Sequence, residues 1–335
     1  MQRITFYYAS IFMVLALLSD QSNAETTIII KFSHVATANS PKGLAATRFK
    51  ELAELATKGR VRVDIYPNGQ LYKDNEELEA LQLDAVQMLA PSLSKFAALG
   101  IHDFELFDLP YLFPNSDALH RITQGAIGRD LLRKLEPQGI VGLNFWDNGF
   151  KNFSADVPLH TPNDLRGLKI RIQPSKVLDR EIRDLGATPL ALVHSAFFEA
   201  LQNKFVDGAE NTPVSFYAQQ FTGSQKYLTL TNHGYVGYAV IFNKNFWDDL
   251  PAEIRVQLSS ALNETTKYAN AIAQQENDLD LIAIKKSGKT TVYELTESEK
   301  EQWHKALAPV QQQMESRLGK DLLAAVNREL ANTHE

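Results

Sequence analysis

The chain has 335 residues, 44% of them hydrophobic and 22% charged; this is more than one hydrophobic core usually organises, and it rules out a disordered or collagen-like polymer. Its 34 Lys plus Arg against 40 Asp plus Glu leave a formal net charge of -6, which argues against sequence-independent clamping of nucleic acid; an anionic ligand must be met by a local cationic pocket. With no cysteine, disulfides, thiolate metal sites and cysteine nucleophiles are excluded.

Arg3 precedes an apolar run from Ile4 to Leu18, followed by polar residues and the small-x-small sequence Ser22-Asn23-Ala24. This is the layout of a cleaved secretory leader, with cleavage expected after Ala24. The run is short of the roughly 20 residues that a membrane-spanning helix needs. Thr27 to Ser33 reads as a buried strand, and Ser40-Pro41 opens an amphipathic helix carrying Ala45, Phe49, Leu52 and Leu55 on one face, closed by Gly59. Val61 to Tyr66 alternates as a strand, Pro67-Asn68-Gly69 turns, Glu76 to Leu83 reads as a helix and Val86 to Leu89 as a strand. A helix from Asp117 to Leu135 and a strand from Ile140 to Phe145 continue the alternation.

A second such unit begins near Lys151, with a strand from Leu168 to Ile172, helices from Ser175 to Leu185 and from Ser195 to Asn203, and a strand near Val206. Strands alternating with helices imply parallel pairing, hence two α/β lobes. From Pro251 no proline or glycine intervenes until Gly288, which permits one helix of about 35 residues lying as a strut across both lobes. A strand from Thr290 to Tyr293 and helices after Ser298 and Lys320 complete the chain.

Catalytic motifs are missing: there is no Gly-x-Ser-x-Gly elbow, phosphate loop, dinucleotide fingerprint or His-Glu-x-x-His, and no pair among the eight histidines has metal-binding helical spacing. Neither cofactor nor metal is expected. Lys169 and Arg171 lie on one face of an apolar strand, as binding groups or as ordinary surface residues. Val206 to Pro213 reads as a strand ending in a polar turn that presents Asn211. Lys42 either adds positive potential at a helix start or is a solvated lysine, and His34 either caps the first strand or faces a ligand at its carboxyl end.

Four stretches carry a resemblance: Tyr66-Pro67-Asn68-Gly69-Gln70-Leu71, Leu165-Arg166-Gly167-Leu168-Lys169-Ile170-Arg171, Ala200-Leu201-Gln202 with Val206-Asp207-Gly208-Ala209-Glu210-Asn211, and Phe246-Trp247-Asp248-Asp249-Leu250-Pro251. They are similar in order to the extracytoplasmic solute receptors of TRAP transporters. The segments Leu71 to Leu83, Gln87 to Ser92 and Trp146 to Lys151 most resemble the DctP-type branch that binds four-carbon dicarboxylates. The resemblance implies a two-lobed periplasmic-binding-protein-like fold, with hinge strands and a long helix spanning both lobes. The implied division is a leader of 1-24, lobe I from 25-148 plus 237-276, and lobe II from 149-236 plus 277-335. It also implies a monomeric periplasmic receptor that hands succinate, malate or fumarate to the small and large subunits of a membrane permease.

The family's roles carry over position by position. Arg171 stands where an arginine grips the ligand carboxylate through two parallel hydrogen bonds, a geometry lysine lacks. Asn211 stands where an asparagine orients that carboxylate, and Lys151 where a second cation, often arginine, occurs. Ser92 replaces a glutamate of the sialic-acid receptors, which favours a small dianion. His194 replaces a common aromatic, and is read either as a donor or as a packed neutral ring. His34, Tyr72 and Ser92 are implied from the first lobe, Asn148 near the hinge, and His233 and Tyr235 at the second crossing. The alternatives are the same receptor with a keto, aromatic or sugar acid, delivery to a signalling sensor, or an exported enzyme using His34, His194 and Asp74 as acid-base groups.

Overall fold

The structure, a computed structural model, describes residues 27–332; the expected leader of 1-24 lies outside the described residues. The chain folds as β1 Ile28–Ser33, α1 Pro41–Ala56, β2 Val61–Tyr66, α2 Glu77–Gln82, β3 Met88–Leu89, α3 Ser116–Gln124, α4 Ala126–Arg133 and β4 Ile140–Ala155. It continues with β5 Lys169–Ile172, α5 Lys176–Asp184, β6 Thr188–Ala191, α6 His194–Gln202, β7 Gly208–Asn211, α7 Pro213–Ala218 and β8 Tyr227–Asn243. The remainder is α8 Lys244–Asp249, α9 Ala252–Ser287, β9 Thr291–Glu294, α10 Glu297–Gln313, α11 Glu315–Leu318 and α12 Lys320–Ala331.

One sheet runs through the molecule in the order β2-β1-β3-β8-β4-β7-β5-β6, with β9 beside β8. At one end β1 pairs parallel with β2 and β3; at the other β5 pairs parallel with β6 and β7. The long antiparallel pair β4 and β8 joins the two groups. This pair slips register between Asp147 and Gly149, opposite Gly237 and Val236. Gly149 sits at φ +143, and a Cβ there would meet the Asn277 amide of α9 at 2.6 Å, so glycine is required where the strand bends under the long helix.

The expected strut is α9, 36 residues or about 54 Å long. Its buried stripe of Leu258, Ala261, Leu262, Thr265, Ala269 and Ala273 is mostly small, which seats the helix closely on β4. It packs on α1 at one end and on α7 and β9 at the other, so it touches both lobes.

Three expectations change. The helix read from Asp117 to Leu135 is two, because Gly125 leaves helical geometry and its position would bring a Cβ 2.3 Å from the Arg121 carbonyl. The strand read as Ile140 to Phe145 runs on to Ala155. The polar turn read after Val206 is itself a strand, β7, paired with β4 from Asn152–Asn211 to Ala155–Gly208.

Candidate functional site

Because the β1/β3 group runs with β4 and the β5/β7 group runs against it, both groups end toward Asn148 from opposite directions, and the segments leaving β1, β3, β5, β6 and β7 converge on one cleft, the usual ligand position in open α/β sheets. A cavity of about 80 Å³ lies there. Lobe I contributes Ser40, Lys42 and Ser92 to its wall, lobe II contributes Arg171, Gln173, His194 and Asn211, and Asn148 and Tyr238 come from the crossing strands. A larger groove of about 780 Å³ opens behind the hinge between α3, β4 and α9. The small cavity is the better candidate, because buried charge converges on it and the strand ends point at it.

Arg171 is 5% exposed. Its Nε and Nη2 donate to the Leu192 carbonyl at 3.0 and 2.8 Å, and its guanidinium lies 4.8 Å from the centre of the Phe197 ring. It has no carboxylate partner among the described residues, and burial lowers its pKa. Lys42 faces it from lobe I. Expected to be solvated, it is 4% exposed, because the start of α1 tucks under the cleft. Its Nζ donates to the Ala90 carbonyl at 2.9 Å and lies 3.7 Å from the centre of the Tyr238 ring. It too has no carboxylate partner among the described residues, and burial pushes its ammonium down to about 7. The first-turn N–H groups of α1, which begins at Ser40-Pro41 on the cavity wall, add positive potential.

Polar groups complete the wall. Asn148 Nδ2 donates to the Tyr238 hydroxyl at 2.6 Å, and its Oδ1 accepts from Ser215 at 3.2 Å and from Thr212. Asn211 Oδ1 accepts from the Thr212 N–H at 3.0 Å. Two contacts span the cleft: Ser92 Oγ donates to Gln173 Oε1 at 2.7 Å, and the His194 N–H at the start of α6 donates to Asp74 Oδ2 at 3.3 Å. Asp74 also pairs with Lys95, which reaches Glu77 as well. Burial and the Arg171 charge pull the His194 ring down to about 4, so it is neutral at pH 7.

Five expected site residues lie off this wall. Lys151 is buried beneath it, with Nζ 3.0 Å from Glu210 Oε2. The contact is an ion pair. Gly234 makes room for it, since a Cβ there would sit 2.4 Å from Lys151 Cε. His233 stacks on Phe153 at 4.1 Å, with Nδ1 2.7 Å from Thr231 Oγ1 and Nε2 3.2 Å from Glu210 Oε2. Burial pushes Glu210 up, yet Lys151 and His233 overcome it and hold the carboxyl down at about 2. Glu181 lies in the same cluster, its Oε1 3.5 Å from His233 Nε2 but neither oxygen hydrogen-bonded, and burial raises it well above the carboxylate range.

Tyr235 donates to Asp147 Oδ1 at 2.6 Å and lines the rear groove. His34 is buried with neither ring nitrogen partnered, and burial pulls it down to about 3. Tyr72 packs at the edge of the core. The enzyme alternative finds no assembled acid-base pair: Asp74 is tied to Lys95, and neither it nor His34 lines the cavity. Lys42, read as solvated, and Gln173, Lys95 and Tyr238, not singled out, are among the wall residues that sequence reasoning did not place at the site. The Ser40-Pro41 helix start was the available signal for Lys42; none marked Gln173.

Two α/β lobes, crossing strands, a spanning helix and a small polar cavity with buried cations define a two-lobed solute-binding receptor. The chain matches the family described as bacterial extracellular solute-binding protein, family 7, over residues 32–317, and it belongs to that family, whose members are receptors rather than enzymes. It is 55% identical over 299 residues to the C4-dicarboxylate-binding periplasmic protein DctP of Rhodobacter capsulatus, covering 89% of this chain and 90% of that one. A TRAP periplasmic solute-binding protein of Shewanella oneidensis with bound succinate superposes with a TM-score of 0.87 at 40% identity, covering 91% of this chain and 99% of that one. One from Pseudomonas aeruginosa with bound L-malate gives 0.83 at 40% identity, covering 85% and 99%. Among the described residues no helix is long and apolar enough to cross a membrane.

Proposed function

We propose that this protein is the periplasmic receptor of a TRAP transporter, exported after removal of 1-24, which captures a four-carbon dicarboxylate such as succinate, malate or fumarate and delivers it to a membrane permease. The observation that carries the reading is the pair of buried cations without carboxylate partners, Lys42 from lobe I and Arg171 from lobe II, facing one small cavity. A buried charge left unpaired costs several kcal/mol, so a ligand with two carboxylates suits this cleft. Arg171 grips one carboxylate, oriented by Asn211, and Lys42 takes the other in place of Lys151, whose charge Glu210 already answers. The relatives that hold succinate and L-malate support the ligand class.

Closure follows from the same arrangement. We assign lobe I to 25-148 plus 237-276 and lobe II to 149-236 plus 277-335, a division that the register slip at Asp147/Gly149 supports as a hinge. Only the closed form brings both cations to one ligand, so ligand shifts the open-closed equilibrium. Thermal melting of ligand-stripped mature protein against mono- and dicarboxylates tests the reading. A ligand at a thousandfold excess over Kd stabilises by about 4 kcal/mol. The reading requires a shift with four-carbon dicarboxylates and little with monocarboxylates; a shift with sugar acids alone overturns the ligand.

A further inference from the structure

The hydrogen bond between Ser92 and Gln173 joins the lobes across the cavity that both residues line. Gln173 stands two residues after Arg171, where the chain leaves β5, about 6.6 Å along an extended backbone. Ser92 stands two residues after Ala90, whose carbonyl holds Lys42 Nζ. The bridge therefore lies two chain positions beyond Arg171 on one side and beyond the Lys42 anchor carbonyl on the other. The donor is the Ser92 hydroxyl and the acceptor is Gln173 Oε1, which leaves Gln173 Nε2 with no protein partner among the described residues. The cavity that the bridge crosses is small, about 80 Å³, so a longer acid presses on the bridge.

We propose that Gln173, oriented across the cleft by Ser92, is the residue that sets ligand length, accepting four-carbon dicarboxylates and excluding longer ones. This rests on the dicarboxylate reading above. The amide acts in two ways: its free N–H groups donate to the near carboxylate of a short ligand, and its tethered carbonyl end blocks the path of a longer chain. Ser92 is a positioning residue, because its hydroxyl dictates which end of the amide faces the ligand.

The test is titration calorimetry of succinate, glutarate and adipate, the four-, five- and six-carbon diacids, on ligand-stripped mature protein and its Gln173→Ala and Ser92→Ala variants. Wild type should prefer succinate. Gln173→Ala should weaken succinate and strengthen glutarate or adipate, moving the affinity ratio toward the longer acid by at least tenfold. Ser92→Ala should move the ratio the same way by a smaller factor, since the amide stays but is no longer held. A ratio unchanged in Gln173→Ala, with succinate still bound, overturns the length assignment and leaves the dicarboxylate reading standing. Should Gln173→Ala fail to fold, Gln173→Asn, which keeps the amide one methylene shorter, must still move the ratio or the assignment falls. Wild type that binds no diacid while melting cooperatively overturns the dicarboxylate reading itself, and the length assignment with it.

Discussion

Arg171 and Lys151 are both cations buried on strands of the second lobe, yet the protein treats them oppositely. Around Lys151 it supplies its own counter-charge: Glu210 at 3.0 Å, with Glu181 and Asp108 close enough to raise the lysine pKa. Around Arg171 and Lys42 it supplies carbonyl oxygens and aromatic faces, and the carboxylates that act on them, Asp74 on both, Glu77 on Lys42 and Glu210 on Arg171, make no ion pair with either among the described residues. The first arrangement is neutralised within the fold and serves stability; the second, on the proposed function, is left for a ligand to neutralise. A buried cation therefore marks a binding site only where the fold withholds its partner.

The sharpest way to break this contrast is Lys151→Met. Removing the lysine leaves the Glu210 carboxylate buried without its cation, so unfolding in urea at pH 7 should show a loss of about 3 to 5 kcal/mol. A loss below about 1 kcal/mol would mean that Lys151 is not a structural cation, and ligand binding would need retesting there. Adding Glu210→Gln to the variant should restore part of the loss.

Arg171→Ala should do the reverse, leaving stability near wild type while weakening dicarboxylate binding by about 2 to 5 kcal/mol in calorimetry. Unchanged affinity in that variant sinks the carboxylate assignment. Lys42→Met keeps the stem that packs under the cleft and removes the charge, for an expected binding loss of about 1.5 to 3 kcal/mol, the usual worth of a hydrogen bond to a charged group. If succinate weakened but a monocarboxylate of similar size weakened equally, Lys42 would not be serving the second carboxylate.

The smallest effect is a pH dependence. Burial holds Lys42 at about 7 in the ligand-free protein, and a carboxylate beside it favours the charged form. Binding above pH 7 therefore takes up a proton, and affinity falls as pH rises through 7 by at most about 1.4 kcal/mol per unit. Calorimetry in two buffers of different ionisation heat reads the uptake directly. Proton uptake should vanish in Lys42→Met; if it persists there, another group is titrating.

Local pattern was enough for much of the frame. Alternating strands and helices with Gly and Pro punctuation outlined two α/β units, and the absence of breakers from Ala252 to Ser287 announced the strut. Arg171 was legible as a cation within an apolar strand, and its facing a ligand only through the family resemblance. The crossing strands were not: the Asn, Gly and register slips in Ile140–Ala155 and Tyr227–Asn243 look like interruptions, and only pairing between the two holds them extended. Nor could Gly208–Asn211 be told from a turn, since its partner Asn152–Ala155 lies more than fifty residues earlier.

By itself, then, the sequence determined which elements form and where positive side chains stand along them, because helix and strand periodicity are set by neighbours a few residues apart. Only the tertiary structure decided which cation is spent and which is free. Glu210 and Glu181 reach Lys151 from β7 and α5, while Lys42 and Arg171 meet across a cleft between segments about 130 positions apart. Charge pairing acts through space, so the difference between a structural lysine and a ligand-binding one appears only when the chain has folded.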